Sequence, residues 1–368
     1  MRRKIEHIIW IAAFLTILGS VPVAGFIFGY KADNIENRVK ATFPEFSKDS
    51  LSVFPRKFEL WLNDEFAFRD QYYRLYSLTK VYALHTSPKP HQVELGEGDW
   101  LYYTDEKVMD NYRCLDLLSN SELQLIIDKL TARAAWCKAH NIIYAVVFCP
   151  NKHTIYPEYL PSCYKKLQSK SRTDQLVAVL SGMEGLAVVD LRKHLSDSRS
   201  ESYYPLFLTH DTHWNDLGSY FAYQHLISSI NLCFSDSLET RKGFEFHEKE
   251  IEGGDLAKMI GLSSMRETAP VLMNAQDFHC KSDSTKEARL AFMNVAVSVY
   301  NDPHAPNHRK LLMLHDSFGK GLRQYLKTTF TESTFIWDQH FNEELITKES
   351  PDIIIHEFVE RYTDRLAW

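Results

Sequence analysis

The sequence has no CxxC pair, no internal repeat, no low-complexity tract and no excess of positive charge. The missing CxxC removes the common spacing of a structural zinc site. With no period to stack, a repeat architecture is excluded. Lys and Arg number 42 against 48 Asp and Glu, a net charge of −6, so no overall positive field exists to hold a nucleic acid. What is present is apolar material: 368 residues, 45% hydrophobic and 13% aromatic, suffice for the core of one elaborated domain or two.

Charge is also missing locally. Ile8 to Tyr30 contains no Asp, Glu, Lys or Arg, and Arg2, Arg3 and Lys4 precede it. At about 1.5 Å of rise per residue, a helix of this length spans a hydrocarbon layer of roughly 30 Å, with the cations favouring a cytoplasmic N-terminus. Residues 1–31 are therefore expected to form one N-terminal transmembrane anchor, with the rest of the chain exported. Small residues at Val23-Ala24-Gly25 permit a cleaved signal peptide instead, although signal apolar runs are usually only about 7–15 residues long. Either reading exports the domain. Export permits disulfides among the six cysteines, whose spacing selects no pairing. Cys137, on the apolar face of an expected helix, and Cys149, ending an expected strand, read as buried thiols.

Residues 32–103 are aromatic-rich and irregular, and read as a helical lead-in packed on the main domain. Gly96 to Tyr103 reads as a turn feeding a strand. From 104 onward an α/β rhythm sets in. Ser121 with Gln124 gives a capping-box pattern ahead of an apolar stripe at helical spacing. Ile142 to Cys149 is a near-continuous apolar run, as expected of a strand covered on both faces. Further strands are expected at 186–191, 310–314, 333–337 and 353–358, and helices near 172–182, 216–230, 319–328 and 342–348. A polar stretch at about 235–308 reads as an insertion. Strands alternating with helices predict a doubly wound, mostly parallel sheet.

In such a sheet, ligands bind beyond the carboxyl ends of the strands. Ser317 stands three residues after the apolar run Lys310–Leu314 and two before Gly319, in a tight strand-to-helix turn whose N–H groups can face an oxyanion. The competing role for Ser317 is to cap the next helix. Asp211 and His213, two apart in an extended segment, address one side. A serine nucleophile needs a base, and that base needs a carboxylate to orient it. Asp211, His213 and Ser317 supply these parts, with Asp211 alternatively a helix cap. His210, His213 and Asp211 also form a possible metal set, but no further well-spaced ligand accompanies them, and no metal or cofactor is expected. Asn151 is a candidate oxyanion donor, Lys152 a structural or carbohydrate contact, and Trp214, Tyr203 and Tyr204 candidates for a carbohydrate groove. Glu360 and Arg361 read as a surface or structural ion pair.

These segments, in order, carry a resemblance. The apolar N-terminus is followed by Gly98-Asp99-Trp100-Leu101-Tyr102, Pro150-Asn151-Lys152, Tyr156-Pro157-Glu158-Tyr159-Leu160-Pro161, Asp211-Thr212-His213-Trp214, Gly254-Asp255-Leu256 and Asp316-Ser317-Phe318. Together they resemble the alginate O-acetyltransferase AlgJ/AlgX family, across roughly residues 30–365. The Asp-x-His-Trp and Asp-Ser-Phe pair is the more specific part. One departure is His315, where relatives often carry a small residue. The resemblance implies an SGNH-hydrolase-like domain with the Asp-His motif ahead of the serine. It further implies Ser317 as nucleophile, His213 as base and Asp211 as its orienter. By the same resemblance the protein acetylates a secreted polysaccharide on the periplasmic face of a bacterial inner membrane, beside a multispanning acyltransferase that delivers acetyl. The alternatives are a carbohydrate acetylesterase with the same triad, and an inactive, anchored polysaccharide-binding scaffold.

Overall fold

The computed structural model describes residues 7–16, 40–46, 51–65, 68–274, 278–290 and 295–368. Contacts divide the chain into two compact units, Met1–Glu94 with Gly253–Met265, and Leu95–Glu252 with Arg266–Trp368.

In the first unit, the helices Phe54–Glu65 and Arg69–Leu78 are the main described elements. Tyr73 packs at the Cβ position of Gly261, whose φ of +72° suits glycine. The membrane-spanning helix expected over 8–30 is not supported. Among the described residues no helix is long and apolar enough to cross a membrane. Of that stretch the structure describes only residues 7–16, which are helical. Residues 17–39 lie outside the described residues.

The second unit is built on a seven-stranded sheet. Its strands in chain order are β1 (Ile143–Cys149), β2 (Leu186–Asp190), β3 (Lys281–Ser282), β4 (Val297–Asn301), β5 (Asn307–Leu314), β6 (Phe330–Ile336) and β7 (Ile353–Val359). The spatial order is β2-β1-β7-β5-β6-β4-β3. The pairs from β2 through β6 are parallel, and β4 and β3 add an antiparallel edge. That edge comes from within the stretch read as an insertion, where its short strands offer too little apolar run to stand out from sequence.

Apolar residues alternate between faces along each central strand, as a period of two requires. Ala145, Val147, Leu311, Met313, Ile353 and Ile355 share one core with the helices Leu191–Ser198, Asp216–Phe234 and Gly319–Leu326. Tyr144, Val146, Phe148, Leu312, Leu314 and Ile354 share the other with Asn120–Ala139, Arg172–Leu180 and Glu343–Glu349. Both faces are covered, so both sets of positions are apolar and the strands read as continuous runs.

The expected capping box lies two residues earlier than Ser121 and Gln124. Ser119 and Glu122 form it, because the backbone leaves the extended region at Ser119. All six cysteines, each among the described residues, are free, and Cys137 and Cys149 are buried.

Candidate active site

Three adjacent parallel strands, β1, β7 and β5, end together, and the loops beyond them carry the residues of interest. Asn151 follows β1, Ser317 follows β5, and Glu360 and Arg361 follow β7. Buried carboxylates tie these loops to one another. Asp316 Oδ2 accepts the Val359 N–H at 2.9 Å, Glu357 Oε2 accepts the Asp316 N–H at 2.9 Å, and Glu360 Oε2 accepts the Asn151 N–H at 2.8 Å. Burial, then the neighbouring Asp316 charge, pushes Glu357, beneath the Ser317 turn, well above the usual carboxylate range.

The Asp211-His213 loop is fixed on two sides. The Lys152 ammonium donates to the carbonyls of Leu208 (3.0 Å), Thr209 (3.1 Å) and Asp211 (2.6 Å). From the strand Arg266–Leu272, Glu267 accepts the N–H groups of Thr209 (2.6 Å) and His210 (3.0 Å). Lys152 is only 2% exposed, so its charge is spent inside the protein and does not face a carbohydrate. His210 turns its Nδ1 to within 3.6 Å of Glu267 Oε1, which takes it out of the metal set considered with His213.

Asp211 does not cap the following helix; Asn215 does, its side chain accepting the Gly218 N–H at 2.9 Å. The Asp211 carboxylate instead holds His213 twice. Oδ1 accepts the His213 backbone N–H at 3.0 Å and the ring Nδ1–H at 2.6 Å. With the proton on Nδ1, the lone pair resides on Nε2, the tautomer a general base needs.

The Ser317 turn shows a parallel division of labour. The helix Gly319–Leu326 has no side-chain cap at its first residue. Asp316 Oδ1 accepts the Phe318 N–H at 2.8 Å, so the capping work falls to Asp316 and the half-buried Ser317 is not used for it. The next residue, Phe318, packs its ring 5.0 Å from that of His213 and 5.3 Å from Trp214, which brings the two motifs together. His315 is buried and donates Nδ1–H to the Asp316 carbonyl at 2.6 Å. Burial lowers its pKa, keeping it neutral there.

Gly319 makes room for His315. A Cβ at 319 would stand 2.5 Å from the His315 Cβ. Gly319→Ala is expected to cost about 1–3 kcal/mol and to displace the Ser317 turn. Chemical denaturation together with ester turnover checks this; a variant that is wild-type in both would disprove the close packing.

Asn151 is 2% exposed, and its Oδ1 accepts from Arg361 Nη1 at 2.9 Å while its Nδ2 donates to Asn111 Oδ1 at 3.3 Å. The strong donor on Oδ1 fixes which way the amide points. Trp214 is 5% exposed and packed among core residues, so it is not a groove wall. Glu360 and Arg361 are not an exposed pair. Both are buried, and Arg361 lines a small pocket with Tyr103, Asn151 and Thr212 while its guanidinium lies 5.6 Å from the Phe318 ring. Sequence reasoning missed Arg361, although its place just after β7 was a signal.

Solved structures of one protein share this fold. Bacillus cereus PatB1 matches with a TM-score of 0.51 at 13% identity, over 73% of this chain and 96% of that one. PatB1 with a sulfonyl adduct matches with a TM-score of 0.52 at 13% identity, over 73% and 95%. The O-acetyltransferase domain of Pseudomonas putida AlgJ matches with a TM-score of 0.44 at 16% identity, over 74% and 92%. No curated protein matches. The family model described as the SGNH hydrolase-like domain of the acetyltransferase AlgX matches residues 93–298, more than half of the chain, including Asp211 and His213. The chain therefore belongs to the AlgX-type family of SGNH hydrolase-like acetyltransferases.

Proposed function

We propose that this protein transfers acetyl groups to the hydroxyls of a secreted polysaccharide through an acyl-enzyme on Ser317. The observation that carries the reading is the double hold of Asp211 on His213, which prepares Nε2 as a base beside a serine turn capped by Asp316. In the first step Ser317 Oγ attacks the acetyl carbonyl and gives its proton to His213 Nε2. The donor's leaving oxygen departs with that proton, leaving an ester on Ser317. In the second step a sugar hydroxyl attacks this ester, its proton passes to Nε2, and the Ser317 oxygen recovers it as the sugar ester leaves. Asn151 Nδ2 and the Gly319 N–H are assigned to the oxyanion, Asn151 being held by Arg361. We assign the acetyl supply to a multispanning membrane acyltransferase, and the work to the periplasmic face of the inner membrane.

The test is incubation with an activated acetyl ester, with and without glycans, followed by peptide mass mapping. Acetyl on Ser317 that then appears on glycan supports transfer. Free acetate with every glycan tried makes the protein an esterase. Equal inertness of wild type and Ser317→Ala rejects the triad and leaves a scaffold.

A further inference from the structure

A second concavity of about 370 Å³ is formed by Tyr156 and the segment that follows the helix Leu191–Ser198, within the range of roughly 300–1,000 Å³ usual for small-molecule sites. Its lining includes Tyr156, Arg199, Ser200, Ser202, Tyr203 and Tyr204. Tyr203 is 92% exposed, an unusual fate for a large ring, and meets Tyr204 edge-on at 4.9 Å. Tyr204 is held by its hydroxyl, which donates to Glu248 Oε2 at 2.7 Å. The Ser202 hydroxyl donates to the Tyr204 carbonyl at 2.7 Å while its oxygen accepts the Tyr204 N–H at 3.2 Å, and the Ser200 hydroxyl donates to the Asp197 carbonyl at 2.8 Å, which leaves one further lone pair on Ser202 and both on Ser200.

The groove is tied to the reaction centre by ring contacts. Tyr156, at its floor, packs 6.2 Å from Phe207, and Phe207 packs 6.4 Å from Phe318, the neighbour of Ser317. Its charge is also informative. The Arg199 guanidinium lies 4.2 Å from the Tyr156 ring centroid and is occupied by Glu158 and the Ile155 carbonyl. Asp197 is paired with Lys193 at 2.5 Å. Glu248, whose carboxylate accepts from Tyr204, then adds negative charge that would repel an anion.

We infer that this groove is an acceptor subsite for an uncharged pyranose unit of the polysaccharide. The C–H face of a pyranose lies on an exposed tyrosine ring, its hydroxyls meet Ser200 and Ser202, and the acidic rim selects against uronic acids. The subsite deepens the transferase reading and rests on it for its purpose.

Its test does not depend on catalysis. Neutral hexasaccharides of glucose, galactose or mannose, and a hexameric oligouronate, are titrated by NMR into the full chain and its Tyr203→Ala variant without any acetyl donor. At least one neutral glycan is expected to bind, more tightly than the oligouronate, and Tyr203→Ala to weaken it about five-fold. Absence of neutral-glycan binding, preference for the oligouronate, or equal affinity in Tyr203→Ala overturns the subsite. Turnover of the activated ester, measured separately on both proteins, shows whether Ser317 chemistry stands or fails on its own.

Discussion

Asparagine in place of Asp211 is expected to lower turnover of an activated acetyl ester by roughly 10³–10⁴-fold, the size this loss has in a serine triad, with the fold intact. One oxygen of Asp211 receives both the backbone N–H and the ring Nδ1–H of His213. An amide in its place can still accept one of these bonds, so the loop should stay ordered. It carries no charge to stabilise the imidazolium formed when Ser317 is deprotonated, and its N–H₂ end can turn the imidazole to the other tautomer. Ser317→Ala should abolish the adduct altogether. Asp211 is not the cap of the next helix, so denaturation midpoints should move far less than rates. Initial rates beside urea unfolding of both proteins decide it. An Asp211→Asn protein that unfolds like wild type and keeps more than a tenth of its turnover would remove Asp211 from the mechanism.

The legible part of this molecule was the part written as period and position. The runs Ile142–Cys149 and Lys310–Leu314 announced doubly covered strands because both faces meet helices. Placing chemistry beyond strand ends then made Asp211, His213 and Ser317 the candidates. Three things did not show. The burial of Lys152 depends on carbonyls some 56 to 59 residues away, and no local pattern encodes such partners. Trp214 looks like a ligand wall in sequence, yet Gly321 leaves the space that lets it sink into the core. Arg361 reads in sequence as half of an ion pair with Glu360, although it obeys the same strand-end rule that singles out Ser317. The loop after β7 meets that rule as those after β5 and β1 do, and it completes the pocket.

The same strand β7 supplies two buried groups whose protons should bend stability in opposite directions with pH. His356 is fully buried, donating Nε2–H to the Gln339 carbonyl at 2.9 Å and accepting from the Tyr144 hydroxyl at 3.0 Å. Burial, then the Arg133 cation, lowers it to about 3. Between that value and the ordinary ~6.5, the unfolded chain binds a proton that the native chain refuses, so His356 makes stability rise with pH by about 1.4 kcal/mol per unit. Glu357 is raised instead. Above the ordinary ~4.3 the native chain keeps a proton that the unfolded chain has lost, so its contribution is present at low pH and falls as pH rises. Other buried groups contribute to the whole curve, but they cancel between wild type and a single variant. From pH 4.5 to 6.0, His356→Gln is therefore expected to flatten the climb of unfolding free energy by about 2 kcal/mol in total, and Glu357→Gln to steepen it. Urea unfolding at four pH values in this window measures both. Parallel curves for His356→Gln would mean that the imidazole titrates as it does in water. A curve for Glu357→Gln no steeper than wild type would mean that the acid under the Ser317 turn is ionised.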